Sequence, residues 1–287
     1  MLKLTFLGTS GSAPTVERAL PAVAIQYEGD LLLWDAGEGT QRQLMKYAVG
    51  YGSIDAVFIS HAHLDHYLGL FGLLETLNLA HSRRELNVYG YEDFAWVQER
   101  YSFVKFHKVK KGALYKRKDY TVSAFPVKHS KNSHGFVLQE NERVKFHEEK
   151  AHKLGLQGKM FTEIQQKGFV QVKGKKIKLA DVTWTKPGRK IVYSGDCRPC
   201  SALTEAAQDA DVLIHEATFD GEKAVEAKER LHSTMEDAAE LARTAKVKQL
   251  VLTHFSPRYA DMKPYESRIR KIFPRTVFAY DGLTLEL

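Results

Sequence analysis

Ser60-His61-Ala62-His63-Leu64-Asp65-His66 sets three imidazoles and a carboxylate within seven residues, directly after the apolar run Ala56-Val57-Phe58-Ile59. Neutral imidazole and carboxylate are preferred ligands of zinc-like divalent metals, and residues two apart at an extended strand end point to one side. The run therefore predicts a strand that ends in a metal site, for one ion or two. A polar loop with exposed histidines accounts well for an isolated His-x-His. It accounts poorly for four ionisable groups packed between a strand and the apolar stretch Tyr67 to Leu79, because polar groups beside a core are costly.

The same signature recurs downstream. His129 follows the run Tyr120 to Val127, Asp196 follows Lys190 to Ser194, and His254 follows Gln249 to Thr253. A strand end followed by a potential ligand, repeated along the chain, describes loops gathered on one rim of a sheet scaffold. Strands are predicted at Leu2 to Leu7, Ala22 to Tyr27, Leu31 to Trp34, Ala56 to Ile59, Ile191 to Ser194, Val212 to His215 and Leu250 to Thr253. Helices are predicted at Tyr67 to Leu79 (despite Gly69 and Gly72), at Tyr91 to Phe103, near Ser201 to Gln208, and at Met235 to Ala245 after Ser233-Thr234. Strands mixed with helices in both halves predict an α/β protein, an αββα sandwich of two packed mixed β-sheets flanked by helices.

The chain of 287 residues can bury a large core, and one domain over 1–287 is expected. Residues 140–178 depart from the rest, being rich in Lys, Glu, Gln and Gly, and read as an inserted arm within it. No stretch approaches twenty uninterrupted apolar residues, and Met1 to Phe6 alternates like a strand, so no membrane association and a cytoplasmic location are expected. The net charge of +7 favours an acidic partner. One cluster holds Lys105, Lys108, Lys110, Lys111, Lys116, Arg117 and Lys118, interleaved with Phe103, Phe106, Tyr115 and Tyr120. Another holds Lys167, Lys173, Lys175, Lys176 and Lys178. Each is either a solvated face or a surface for phosphates and bases. Cys197 and Cys200 form a Cys-x-x-Cys that lacks the two further ligands of a structural zinc site, and they read as packing residues.

Further stretches are distinctive: Gly8-Thr9-Ser10 with Pro14-Thr15-x-x-Arg18, Trp34-Asp35-Ala36-Gly37-Glu38-Gly39-Thr40-Gln41, Gly195-Asp196, His215-Glu216-Ala217-Thr218-Phe219, His232-Ser233-Thr234, and Thr253-His254-Phe255-Ser256-Pro257-Arg258-Tyr259. Together with the His-x-His-x-Asp-His run they span nearly the whole chain. They resemble the metallo-β-lactamase superfamily and, within it, the ribonuclease Z family of endonucleases that trim the 3′ trailer from precursor tRNA.

The resemblance implies the metallo-β-lactamase fold and two zinc ions per subunit. His61, His63 and His129 would hold one ion and Asp65, His66 and His254 the other, with Asp196 bridging. Such a pair suits a phosphodiester on chemical grounds, since two metals about 4 Å apart lower the pKa of water and offset charge on a phosphoryl group. By the same resemblance Asp65 would orient and deprotonate the attacking water, His232 would protonate the leaving 3′ oxygen, and Glu216 would hold His232 in position. The alternative that Glu216 and His232 are each satisfied by backbone groups stays open. Asp35 reads as a support for a ligand histidine or for nearby loop amides. Arg18, Thr40, Arg258, Lys167, Lys173, Lys175 and Lys176 are the candidate RNA contacts. Thr40 reads first as shaping a turn with the glycines around Glu38, and Arg258 equally suits a carboxylate partner.

Precursor tRNA as substrate and a homodimer, in which one subunit's arm grips RNA cut by the other, are also implied. Two departures stand out. Ala19 and Val16 occupy positions where asparagine and lysine are frequent in the family, and the arm's Leu154 to Met160 contains no proline. A hydrolase of small phosphodiesters or thioesters on the same scaffold, and a catalytically silent RNA-binding subunit, are the rival readings.

Overall fold

The apolar runs lack a polar side because the strands they form are covered on both faces. The computed structural model describes residues 1–91 and 94–287. They divide into two compact units, Met1–Leu138 with Lys190–Leu287, and Gln139–Arg189.

In the larger unit, β1 (Leu2–Gly8), β2 (Ala22–Tyr27), β3 (Asp30–Trp34), β4 (Ile54–Phe58), β5 (Leu86–Gly90) and β6 (Val104–Lys108) form one sheet, with β18 (Thr284–Glu286) beside β1. The second sheet runs β17 (Thr276–Phe278), β16 (Gln249–Thr253), β15 (Val212–Glu216), β14 (Lys190–Tyr193), β9 (His134–Glu140), β8 (Tyr120–Pro126) and β7 (Gly112–Lys116). Both are mixed: β3 to β6 and β14 to β17 are parallel, while β1–β2, β2–β3 and β7–β8 are antiparallel.

The period-two alternation sorts each strand's side chains. Leu4, Phe6, Leu32, Trp34 and Phe58 meet Val122, Phe136, Ile191, Tyr193 and Ile214 between the sheets. Leu31, Leu33, Val57 and Ile59 face outward, in the cluster that also holds Leu44 of α1 (Thr40–Lys46), Leu70, Leu73 and Leu74 of α2 (Leu64–Leu79) and Val97 of α3 (Trp96–Arg100). Across the sandwich, Leu213 and Leu250 pack with Leu203 of α7 (Ser201–Ala207), Leu241 of α9 (Met235–Thr244) and Ile269 of α10 (Lys263–Ile272). The predicted αββα sandwich is thus present, and each fully buried side chain of this size contributes about 1.5–3 kcal/mol. Cys197 and Cys200 are free thiols packed in the third of these clusters.

Two readings change. The helix expected over Tyr91 to Phe103 is confined, among the described residues, to α3, because Tyr101 is extended (φ −121°, ψ 103°) and residues 92 and 93 lie outside them. Phe103, Tyr115 and Tyr120, interleaved with lysines in a stretch read either as a solvated face or as a surface for phosphates and bases, are 9, 8 and 1 % exposed and belong to the core. Strand alternation puts the aromatics inside and the lysines out.

The smaller unit folds around its own apolar cluster of Ala151, Leu156, Ile164, Val170, Val172, Ile177 and Val182. Its strands β10 (Arg143–Phe146) and β13 (Thr183–Lys186) pair antiparallel, as do β11 (Phe169–Val172) and β12 (Lys175–Lys178). Three short helices supply the rest, α4 (Glu148–Lys153), α5 (Met160–Lys167) and α6 (Leu179–Val182). Apolar residues too scattered to show a period in sequence converge here.

Candidate metal centre

Every strand followed by a potential ligand ends on one rim of the sandwich. Three of these exits require left-handed backbone, at Asp35 (φ 57°) after β3, Gly195 (φ 57°) after β14 and His254 (φ 59°) after β16. For non-glycine residues that conformation is unfavourable and concentrates where a site demands it.

Seven residues come together in two groups that share Asp196. His61, His63, His129 and Asp196 form one, and Asp65, His66, Asp196 and His254 the other; within each, the potential ligand atoms lie within 4.8 Å of one another. In the second group His66 Nε2 and His254 Nε2 are 3.2 Å apart, His254 Nε2 lies 3.2 Å from Asp196 and 3.4 Å from Asp65, and His66 Nε2 lies 3.3 and 3.6 Å from the same carboxylates. Zinc with ligands at about 2.0–2.1 Å in tetrahedral geometry sets ligand atoms about 3.3 Å apart. The first group is slightly looser, at 3.1 Å for His63 Nδ1 to His129 Nε2, and 3.7 and 3.8 Å from Asp196 to His61 and His129. Among the described residues, His61 Nε2 and Asp196 Oδ1 are buried without a hydrogen-bond partner. A bound cation would satisfy both. The donor set fits divalent metal.

The histidine tautomers are set from behind. Asp35, fully buried, accepts from the Ser60 amide (2.7 Å), the Ser60 hydroxyl (2.8 Å), the Tyr193 hydroxyl (2.7 Å) and His66 Nδ1 (2.7 Å). Since the Ser60 proton goes to Asp35, Ser60 Oγ accepts from His61 Nδ1 at 3.0 Å. His129 Nδ1 donates to the Leu231 carbonyl (3.1 Å) and His254 Nδ1 to the Thr218 hydroxyl (2.9 Å). Each bond fixes Nδ1 as the proton-bearing nitrogen and turns Nε2 toward the cluster. Asp35 thereby orients one histidine of each group.

Charge favours a cation here. Burial alone would lower His66, yet Asp196, Asp35 and Asp65 together raise it well above the ordinary histidine value. Burial raises Asp196 and Asp65, but the surrounding imidazoles outweigh that and hold both carboxyls well below the usual carboxylate range. The field that would hold a proton on His66 equally favours a metal ion in its place. His61, by contrast, is kept neutral by burial and its histidine neighbours.

A third cluster adjoins these. His232 follows α8 (Ala224–Glu229), and its Nδ1 donates to Glu216 Oε1 at 2.8 Å. Glu216, 1 % exposed, also accepts from the Cys197 and Thr218 amides (2.9 and 3.2 Å) and the Thr218 hydroxyl (2.6 Å). Burial pulls His232 down, but the charge and hydrogen bond of Glu216, with Asp196 behind, push it up to about 9. Of the two arrangements open in sequence, direct pairing of Glu216 with His232 is the one present.

The candidate RNA contacts belong to neither ligand group. Arg18 is 9 % exposed and donates to the Tyr259 carbonyl, so its guanidinium ties two loops together instead of facing solvent. Thr40 is buried and its hydroxyl donates to the Gly37 carbonyl at 2.7 Å, closing the turn before α1. Arg258, 42 % exposed, donates to both oxygens of Glu226 at 3.1 and 3.2 Å. Lys167 pairs with Glu163 at 2.8 Å; Lys173, Lys175 and Lys176 are exposed around the β11–β12 turn.

Several supporting residues carry no local signature in sequence. Ser60, Thr218 and Tyr193 are read only through their partners. Asp281 accepts from Thr9 Oγ1 (2.8 Å), the Ala19 amide (2.7 Å) and Gln43 (3.0 Å), and so anchors the loop whose Ser12 amide donates to Asp65 Oδ2 at 2.8 Å. The same loop passes so close to His254 that a Cβ on Gly11 would lie 2.5 Å from Nδ1.

Two mixed sheets between helices, with histidines and carboxylates converging at the strand ends, define a metallo-β-lactamase-type hydrolase. Residues 19–156 match the family model described as the metallo-beta-lactamase superfamily, and 136–255 that of the beta-lactamase superfamily domain. Ribonuclease Z of Methanosarcina mazei and that of Archaeoglobus fulgidus are each 42 % identical to it, covering all of this chain and 98 % of theirs. The chain belongs to the ribonuclease Z family. Its structure is similar to the short form of human tRNase Z at 29 % identity and TM-score 0.70, over 99 % of this chain and 98 % of that one. The metallo-beta-lactamase fold protein YhfI of Bacillus subtilis shares the fold, with TM-score 0.74 at 19 % identity, each chain covered in full.

Proposed function

We propose that this protein is an endoribonuclease that removes the 3′ trailer from precursor tRNA by metal-dependent phosphodiester hydrolysis and leaves a 3′-hydroxyl on the tRNA. The observation that carries it is the sharing of Asp196 between two ligand groups beside an acid candidate, His232, within a chain whose full length matches ribonuclease Z relatives. We assign His61, His63, His129 and Asp196 to one zinc ion, and Asp65, His66, His254 and Asp196 to the other. Two bound ions supply Lewis-acid stabilisation of the phosphoryl oxygens and lower the pKa of a water nucleophile.

The chain's own groups do the rest. Asp65, with the Ser12 amide holding one of its oxygens, orients the attacking water and accepts its proton. His232, held as imidazolium by Glu216, donates a proton to the 3′ oxygen as the bond to phosphorus breaks. Glu216 is oriented in turn by four donors and cannot rotate away without stranding them.

We read the chain as one fold in which residues 140–178 are an inserted arm whose exposed lysines take part in holding the RNA, and we place the protein in the cytoplasm with its substrate. Among the described residues no helix is long and apolar enough to cross a membrane. A homodimer is supported by the outer face of α2 and α3, where Leu64, Leu68 and Trp96 are 61, 40 and 43 % exposed and Trp96 stacks on Phe71 at 5.2 Å.

The test is incubation of zinc-loaded protein with end-labelled precursor tRNA carrying a 3′ trailer. Release of an intact trailer and a tRNA ending in 3′-hydroxyl is expected. Trimming by single nucleotides, a 3′-phosphate product, or no cleavage beside active hydrolysis of a small phosphodiester would each refute the proposal. Sedimentation should give twice the chain mass.

A further inference from the structure

The lysine-rich stretch from 105 to 118 divides in two once strand directions are known. β4, β5 and β6 are parallel, with Phe58 level with Tyr89 and Gly90 level with Lys108. Beyond Phe58 the chain becomes Ser60-His61; beyond Gly90 it becomes Tyr91, whose hydroxyl donates to the Ser60 carbonyl; beyond Lys108, Val109 donates to the Gly90 carbonyl at 2.8 Å. The turn from β6 to β7 therefore lies at the metal end of the sandwich. β7 then pairs antiparallel with β8, Gly112 opposite Ala124, and β8 leads straight into Lys128-His129. Lys110 and Lys111 in the turn, and Lys128 and Lys131 on either side of His129, are all exposed on this rim.

The opposite ends of the same strands differ in charge balance. There Lys105 pairs with Glu85 at 2.6 Å, and Arg117 lies 3.5 and 3.3 Å from Asp30 and Asp55. Among the described residues, Lys110, Lys111, Lys128 and Lys131 have no ion-pair partner. Four uncompensated charges thus stand on the rim that holds the metal cluster. β6 is two strand spacings, about 9.6 Å, from β4, which is comparable with the Debye length of about 8 Å at physiological salt.

We propose that Lys110, Lys111, Lys128 and Lys131 form a phosphate track on the main body that guides the RNA strand flanking the scissile bond into the metal centre, separately from the lysines of 167–178. The inference rests on the endoribonuclease reading and adds a second place of contact to it. Phosphates, not bases, are the ligand class, because the rings of Tyr91 and Phe125 at this end of the strands are buried, 6 and 8 % exposed, and offer no face for stacking. Lysine suits the task as a compact charge that follows a backbone without selecting a sequence.

The experiment compares Lys110→Ala/Lys111→Ala, Lys128→Ala/Lys131→Ala and the far-end pair Lys105→Ala/Lys116→Ala in the full-length zinc-loaded enzyme. KM for precursor tRNA is measured from low to high salt, with metal content and melting temperature checked for each. Each rim pair should reduce the slope of log affinity against log salt by about 1.4 and raise KM about 20-fold at 0.1 M salt, as expected for two lost contacts to a single strand. The far-end pair should keep the wild-type slope. Rim variants with wild-type KM and slope, from an enzyme that does cut precursor tRNA, would overturn the track alone. An equal loss in the far-end pair would overturn it as well, since net charge would then suffice. A wild-type enzyme that hydrolyses a small phosphodiester but no precursor would instead bring down the functional reading, and the track with it.

Discussion

Asp35 illustrates how one carboxylate without a place in either ligand group governs both. It orients His66 directly and His61 through Ser60, and its left-handed backbone is what aims it between them. Asp35→Asn keeps the shape but removes the charge, and should weaken metal binding about 10- to 100-fold, as loss of such a supporting bond generally does. Competition against a calibrated chelator measures this; unchanged affinity would show the carboxylate to be structural only. Glu216 makes a second such case through His232. With His232 raised to about 9, its acid form persists through neutral pH and activity should fall on the alkaline side. Bound cations oppose that rise, so the falling limb belongs between about 6.5 and 9. Glu216→Gln should move the limb toward 6.5 in a profile of kcat/KM, and an unmoved limb would assign it to another group. The sign for stability follows the same shift. A histidine raised on folding stabilises fully below its unfolded value of about 6.5 and loses that contribution as pH rises through about 9.

Helix α2 shows why position within a segment matters more than propensity. It starts at Leu64, earlier than the apolar pattern suggests, so that Asp65 and His66 occupy its first turn, where a carboxylate is favoured by the unpaired amides. Gly69 looks like a weakness in a helix, but a Cβ there would lie 1.8 Å from the Gly37 carbonyl oxygen. The helix can approach the Gly37 loop, and so deliver its two ligands, only because that position is bare. Gly69→Ala should cost about 1–3 kcal/mol through overpacking and lower metal occupancy at the same time. Chemical denaturation and metal analysis check both; a stable, fully loaded variant would mean the loop yields freely. α9 is the opposite case. Its Thr234 cap and the returning Asp237 form a capping box that Ser233-Thr234 announces in sequence, and the helix starts at Met235 as expected.

For the molecule as a whole, the concentration of Asp35, Asp65, Asp196 and Glu216 at one rim would make a bound metal a stabilising ligand as well as a chemical one. Stripping it should abolish hydrolysis and lower the melting temperature, because binding to the folded state alone shifts the equilibrium toward it. Restoration of both by stoichiometric zinc is expected, and a melting temperature indifferent to chelation would count against a built site. Replacing Lys167, Lys173, Lys175 and Lys176 by alanine should raise KM for precursor tRNA and flatten its salt dependence. A variant with wild-type KM would leave those lysines as a solvated surface.

Chemistry was legible wherever it is local. The His-x-His-x-Asp-His run, and single histidines and carboxylates placed just after the strands that carry them, announced the cluster of potential metal ligands, because residues adjacent in chain at a strand end must emerge together. Continuous apolar runs announced strands covered on both faces. What stayed hidden depends on partners distant in sequence: Asp281 near the C-terminus holding a loop near the N-terminus, the Arg18 guanidinium drawn into a protein contact instead of solvent, Arg258 paired with Glu226, the aromatics between lysines turned inward, and the small core of 139–189. A side chain's identity states which bonds it can make, whereas which of them it does make is settled by the groups that folding brings within about 3 Å.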